Sequence, residues 1–575
     1  MKNYHRISMF FSALLIVSCA SQSTKTGSNN ALPAPSSSKT ARGKTFAIAT
    51  QGPYSAQAAR KVMEAGGNLI DAFVATSFTI AVELPYSTGI GGGGFALVYH
   101  APSKNVTAFD FRERAPMATH SKIFLKGKEV DSEASKTGGL AAGVPGLVAG
   151  VLEIHNLYGK LPRAMVIAPA IELAENGFIV NDRFAERIKD NSERLSHYRA
   201  SKELYFKADG SPLQKGDLFV QKDLAKTLKL IAEKGRRGFY GGETAVKIVN
   251  YLKPNGGVME TSDIYNYHAK IRKPLRNTYK GFEVIGMPPP SSGGLITQQI
   301  LNLLENEELQ KSSASDIKNI HKTVAAMQLA FADRGKYYGD TDYVKMPMSS
   351  LMSKEYALER KKLFQSDRAL KAEEILPGDL KIRESDHTIH FSMADSEGNV
   401  ISSTQTINGH FGNAMVIPGT GILMNNEMDD FAAKEGDANM FGAFGSKANL
   451  VAPGKRPLSS MAPTLVMKDG KIIYALGSPD GTRIISCVTL TLLNLMEYGM
   501  DLDDAIAAPR YHHQWRPDTL RVEPSISGSN KDKLTKLGYV LEEKPSTCSV
   551  QGVKITDSGL EAVADPRGNG NSDAF

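Results

Sequence analysis

The chain predicts a mixed α+β fold, strand-rich toward its C-terminus with helices outside, and three patterns carry that reading. Residues 55–83 (AQAARKVMEAGGNLIDAFVATSFTIAVE) place apolar residues at helical spacing. Residues 388–393 (TIHFSM) alternate strictly, with Thr388, His390 and Ser392 on one strand face and Ile389, Phe391 and Met393 on the other. A second alternating run, Val400 to Asn408, follows the break Ser396-Glu397-Gly398, which suits a three-residue hairpin loop. Pairing Asp395 with Asn399 puts Thr388 opposite Thr406, with Thr404 and Asn408 on the same face.

The elements follow in order. Lys2 and Arg6 precede an apolar run, Ile7 to Val17, too short to span a bilayer but right for a signal segment. It ends in Ile16-Val17-Ser18-Cys19, which resembles the lipobox of bacterial lipoproteins. That implies a signal peptide over 1–18, lipidation of Cys19 and, with Ala20 next, a cell-envelope protein held to the outer membrane on its periplasmic side. Residues 19–44, rich in Ser, Thr, Asn, Pro and Gly, read as a disordered tether. Within 55–83, Gly66-Gly67 is a break and Asn68 the next helix cap. GGGGFALVYH and NVTAFDFRE read as strands, and PGLVAGVLEIHNLYG and AIELAENG as paired helices. Residues 177–285 look helical and polar, and Ser292 is a plausible cap for LITQQILNLLEN. Strands return at 388–408, 415–425 and 463–476, and a helix follows near 483–498.

Composition narrows the function. With 575 residues, 41% hydrophobic and 22% charged, the chain can bury a large core. Its formal charge of +7 is spread without basic runs, so it argues against nucleic acid as a partner. Besides Cys19 only Cys487 and Cys548 remain; one disulfide is possible, and two unpaired thiols are the expectation. Gly89 to Gly94 contains GxGxxG, but a strand follows it, so no helix N-terminus is offered to a pyrophosphate. Close backbone packing explains those glycines better. His387, His390, His512 and His513 lack metal-site spacing, so no metal and no organic cofactor is expected.

A hairpin face of hydroxyls needs another explanation than a core. No GxSxG elbow is present. A threonine hydroxyl needs a nearby base, and an N-terminal threonine carries one, its own α-amino group with a pKa near 8. That chemistry requires a cut between His387 and Thr388, which the Thr388 hydroxyl can make by attacking the preceding carbonyl.

Longer motifs point the same way: STGIGGGGF (87–95), DFRERAP (110–116), MPPPSSGG (287–294), TIHFSM (388–393), GILMNNEMDDF (421–431), KRPLSSMAPT (455–464), GSPDGTR (477–483) and PRYHHQW (509–515). With these the chain resembles the γ-glutamyltranspeptidase family of N-terminal nucleophile hydrolases from about Thr45 to its end. The resemblance implies a four-layer αββα sandwich and a precursor that cleaves itself into a large subunit (45–387) and a small one (388–575), one intertwined heterodimer. It implies Thr388 as nucleophile, Thr406 as its hydrogen-bond partner, and the backbone N–H groups of Asp480 and Gly481 as oxyanion hole. Arg112, Ser459 and Ser460 would bind the substrate α-carboxylate, and Asn408, Glu427 and Asp430 its α-ammonium. The substrates implied are glutathione and other γ-glutamyl compounds, with water, an amino acid or a dipeptide as acceptor.

The sequence departs from the family pattern at four places. Asp480 stands where a glycine is usual, Phe441 where many bacterial members have a lid tyrosine, Glu427 where some have Gln, and His387 where others have a polar residue. Two rival readings remain: a related amide acylase of the same fold, and an uncleaved, inactive surface-anchored binding lipoprotein.

Overall fold

The structure is a computed structural model, and it describes residues 31–378, 389–436, 439–440, 442, 447–546 and 548–575. The expected signal peptide with Cys19, and His387, Thr388 and Phe441, lie outside the described residues.

Two seven-stranded antiparallel sheets form the centre. In chain order their strands are β1 (Thr40–Gly43), β2 (Phe46–Thr50), β3 (Gly93–His100), β4 (Asn105–Asp110), β5 (Lys270–Arg272), β6 (Leu275–Tyr279) and β7 (Phe282–Gly286). The remainder are β8 (Ile389–Asp395), β9 (Val400–Thr406), β10 (Thr464–Lys468), β11 (Lys471–Gly477), β12 (Gln551–Thr556), β13 (Gly559–Ala564) and β14 (Asn571–Ala574). The first sheet runs β14-β2-β8-β9-β3-β4-β5 and the second β1-β13-β12-β11-β10-β7-β6. Helices α1 (Pro53–Glu64), α2 (Leu69–Glu83), α3 (Leu147–Tyr158) and α4 (Arg163–Asn176) cover the first sheet, burying Phe73, Phe391, Met393 and Ile401 between them. Helices α5 (Gly293–Leu304), α6 (Ile317–Tyr337) and α7 (Arg483–Met496) cover the second through Leu301, Met327, Val466 and Val488. Ala49, Leu97, Leu465 and Val553 fill the space between the sheets. The layers are αββα, as the family resemblance implies.

Local chemistry explains the boundaries. Asn68 Oδ1 accepts from Asp71 N–H, and Asp71 accepts from Asn68 N–H, so a reciprocal capping box starts α2. The β8–β9 register runs from Ile389↔Gln405 to Ala394↔Val400, as counted from the loop. Gly398 takes φ 84°, the left-handed position a three-residue loop needs, and Asp395 accepts from the backbone and side chain of Asn399 at 2.9 Å each.

Four expectations are corrected. The stretch 177–285 is not helical throughout: Lys270 to Gly286 forms β5, β6 and β7, whose short runs pair through backbone bonds that composition does not reveal. The tether expected over 19–44 ends sooner, since Thr40–Gly43 pairs with Leu560–Val563 as an edge strand, using main-chain bonds rather than apolar burial. Ser292 does not cap α5 with its side chain; its hydroxyl donates to Ser459 O at 2.7 Å instead. Cys487 and Cys548 are joined in a disulfide, because α7 runs beside the segment that leads into β12.

Candidate active site

The hydroxyl-rich face of the β8–β9 hairpin points at the second sheet. His390 Nδ1 meets Thr404 Oγ1 at 3.0 Å and His390 Nε2 meets Ser392 Oγ at 2.9 Å. Ser402 Oγ donates to Leu476 O at 3.2 Å and accepts from Thr464 N–H at 3.0 Å. These polar groups stitch the two sheets together, which is why valines and isoleucines are absent there. A Cβ on Gly477 would sit 2.5 Å from the His390 ring, so the end of β11 lies directly on β8.

The glycine run serves close approach, as expected. A Cβ on Gly92 would meet Thr406 O at 1.9 Å, and one on Gly91 would meet Leu423 O at 2.2 Å. Asn425 locks this junction: its Nδ2 donates to Gly91 O (2.7 Å) and Gly143 O (2.8 Å), and its Oδ1 accepts from Gly143 and Glu427 N–H (2.9 Å each). Thr406 Oγ1 accepts from Asn408 N–H at 2.7 Å. Asn408 adopts φ 69° and donates through Nδ2 to Asn426 O at 2.9 Å, while its buried Oδ1 has no protein partner among the described residues.

Arg112, just past β4, is fully buried. Its Nη1 bonds Glu427 and its Nη2 bonds Asp430 and Leu458 O. Burial weighs against its charge, but Glu427, Asp430 and Glu113 more than offset this, and its pKa is raised. Glu113, which the sequence reading passed over, is buried 3.8 Å from Arg112 and within hydrogen-bonding reach of Glu427. Burial pushes its carboxyl up to about 7 and raises Glu427 well above its ordinary value, with Arg112 opposing both shifts. Among the described residues Glu113 Oε1 and Oε2 and Glu427 Oε2 have no hydrogen-bond donor.

Opposite them, Arg112 Nε and Nη2 hold Pro457 O and Leu458 O, which brings Ser459 and Ser460 alongside. The N-terminus of α5 packs under this loop, with Ser292 N–H and Oγ both donating to Ser459 O. Ser459 Oγ accepts from Met461 N–H at 3.1 Å, and Ser460 Oγ accepts from Arg334 Nη2 at 2.7 Å. Among the described residues neither hydroxyl proton is given to an acceptor, so both are available as donors. Asp480 takes φ 104° and its carboxylate receives Arg483 Nε at 2.6 Å and Nη2 at 2.5 Å; Gly481 has φ 62°.

The structure thus brings Arg112, Glu427 and Asp430 into contact, joins Asn408 to Thr406, and sets Ser459 and Ser460 beside Arg112. Asp480 and Gly481 make no bond to these groups among the described residues; they follow the end of β11 that abuts His390. Besides Glu113, the sequence reading missed Asn425 and Arg334. Arg334 was visible as a charge on the apolar stripe Ile320, Val324, Met327 and Phe331 of α6. Asn425 and Glu113 carry no periodic signal and stand out only inside their motifs.

Compared with known proteins, residues 55–575 match a model of the family described as gamma-glutamyltranspeptidase. The chain is similar to the glutathione hydrolase proenzyme of Escherichia coli (strain K12), 41% identical over 529 residues, 92% of this chain and 91% of the relative. Its structure is similar to that of cephalosporin acylase from Bacillus halodurans, with TM-score 0.85 and 28% identity over 95% of this chain and 98% of that one. It is also similar to Helicobacter pylori gamma-glutamyltranspeptidase, with TM-score 0.56 and 43% identity over 57% of this chain and 94% of that one.

Burial holds His390 and His512 neutral, with pKa values pushed down to about 3 in each. Their unfolded values are about 6.5. As pH falls below that, the unfolded chain takes up protons that the folded chain refuses, so stability declines from about pH 6.5 downward. His390→Asn should flatten the fall of thermal midpoint with pH in this window, by up to about 1.4 kcal/mol per pH unit. An unchanged slope would remove His390 from the acid-sensitive groups.

Proposed function

Because the chain belongs to the γ-glutamyltranspeptidase family, we propose how its residues divide the work of that chemistry. The protein is a self-processing enzyme, a glutathione hydrolase and γ-glutamyltransferase. In the precursor the Thr388 hydroxyl attacks the His387 carbonyl, and water resolves the resulting ester, leaving Thr388 as a new N-terminus. Its α-amino group then acts as base while its hydroxyl attacks the γ-amide of a γ-glutamyl compound such as glutathione. The oxyanion is received by the Asp480 and Gly481 N–H groups. The amine half of the donor leaves, and the γ-glutamyl ester passes to water, an amino acid or a dipeptide. Thr406 orients the nucleophile.

One observation carries the substrate reading: the buried site has a donor wall and an acceptor wall. Arg112 and the hydroxyls of Ser459 and Ser460 offer protons, while Asn408 Oδ1 and Glu427 Oε2 are buried acceptors with no donor among the described residues. An α-amino-acid head group, with its carboxylate and ammonium on one carbon, matches both walls. Arg112 pairs with Glu427 and Asp430, so binding a zwitterion exchanges one set of ion pairs for another. A β-lactam side chain lacking the ammonium would leave the acceptor wall unpaired, at a cost of about 1–3 kcal/mol for each buried group.

The test is a gel and two assays. The parent should separate into chains spanning 19–387 and 388–575 and should cleave a γ-glutamyl anilide in preference to a β-lactam side-chain amide. Thr388→Ala should remain one chain without activity. Cleavage persisting in purified Thr388→Ala, or preference for the β-lactam amide, would overturn the reading.

Asp480 sits in a backbone conformation that costs a non-glycine residue on the order of 1–3 kcal/mol. Its carboxylate is turned onto Arg483, so its charge is screened from a developing oxyanion. Asp480→Gly should therefore hold or raise kcat for γ-glutamyl donors. A clear fall in kcat with processing intact would give Asp480 a positive role.

The location follows from the N-terminus. Lys2, Arg6, the apolar run and Ile16-Val17-Ser18-Cys19 support lipid anchoring through Cys19 at the outer membrane. Cys19→Ser should move the protein out of the membrane fraction or leave its precursor uncut. Recovery of the parent wholly in the soluble periplasm would refute the anchor.

A further inference from the structure

We propose that Arg334 is a positioning residue of the α-carboxylate site, acting through Ser460. The inference rests on the reading of Ser459 and Ser460 as carboxylate ligands and adds a residue that touches no substrate. Arg334 lies in the last turn of α6 and is 1% exposed. Its Nη2 donates to Ser460 Oγ at 2.7 Å and its Nε to Ser292 Oγ at 3.1 Å.

A guanidinium has donors and no acceptor, so both hydroxyl oxygens must accept from it. Their own protons are thereby sent elsewhere. Ser292 gives its proton to Ser459 O at 2.7 Å. That bond steadies the carbonyl of the residue whose hydroxyl, held by Met461 N–H, is the second donor of the pair. Ser460 gives its proton to nothing among the described residues, and the Arg334 charge behind it makes that O–H a stronger donor. A serine free to rotate offers a carboxylate either a lone pair or a proton; Arg334 leaves only the proton. The carboxylate is thus received between Arg112 in front and, behind the serines, the Arg334 charge and the N-terminus of α5, which carries a partial positive charge of its own. Lysine at 334 would keep the charge but not the planar fork that spans Ser292 and Ser460 together.

The experiment compares the parent with Arg334→Lys, Ser460→Ala and the double variant, each checked for two chains on a gel. Each is assayed on a γ-glutamyl anilide and on the 4-aminobutyryl anilide, which lacks the α-carboxylate. Arg334→Lys should raise KM for the γ-glutamyl donor about tenfold with kcat within about threefold, the loss of one charged hydrogen bond. Its preference for the γ-glutamyl over the 4-aminobutyryl substrate should fall by the same factor, and the double variant should be no worse than the poorer single one. Equal losses on both substrates, or full additivity with Ser460→Ala, would show a merely structural arginine and overturn the proposal. If Arg334→Lys does not process, Ser292→Ala, which frees the other arm of the guanidinium, should lower the preference about threefold, and an unchanged preference overturns the proposal. An unchanged preference in Ser460→Ala means that the carboxylate reading of Ser460 has failed. A lowered preference there, with none in Arg334→Lys, means that only the present inference has failed.

Discussion

A guanidinium with no solvent contact has to be matched by acceptors on every side, and the neighbourhood of Arg112 is organised by that demand. Asp110 accepts from Arg112 N–H and from Arg272 Nε, and lies 3.4 Å from Arg456 Nε. Tyr267 donates to Arg112 O, and Arg456 also donates to that carbonyl. Asp340 holds the Arg456 backbone. The end of β4, strand β5, the segment after α6 and the 456–460 loop are thereby tied to one point. Such a network is expensive to desolvate and is weak grounds for stability in itself. What it does supply is placement, since the partners of Arg112 come from three separate stretches: its own neighbours Asp110 and Glu113, the turn Glu427–Asp430, and Pro457-Leu458.

Placement matters because the site sorts polarity by wall. The acidic side is over-provided: Glu113, Glu427 and Asp430 face one guanidinium, and burial lifts the Glu113 and Glu427 carboxyls toward protonation. An arriving ammonium relieves that surplus, while an uncharged amide head would not. On the other side the two serine hydroxyls have their oxygens already engaged by N–H donors. In the proposed reading, selectivity for an α-amino acid comes from pairing these groups, which penalises a competitor more than it rewards a fit.

Legibility in the sequence followed the range of each interaction. The hairpin register was readable because side chains alternate with period two and the loop length sets the pairing. The Asn68 cap was readable because its partner is three residues away. The motifs located Arg112, Ser459 and Ser460, but that Arg112 and Glu427 touch across 315 residues is a property of the fold. The same limit hid the disulfide, whose cysteines are 61 apart and carry no spacing signal. Arg334 was missed for another reason: helical periodicity places it on the apolar stripe of α6, and pattern alone does not say what a buried charge is for.

The interleaving of the first sheet explains why the proposed cut before Thr388 is compatible with the fold. Strands β2, β3, β4 and β5 precede the cut and β8, β9 and β14 follow it, and they alternate as β14-β2-β8-β9-β3-β4-β5. Each piece supplies strands that the other completes, so no ladder is lost when the backbone opens at the start of β8. The pairing Ile389↔Gln405 holds the first described residue of β8 against β9. A cut proposed there would free an amine next to a central strand already held by β9 and by the His390 network, rather than at a loose chain end.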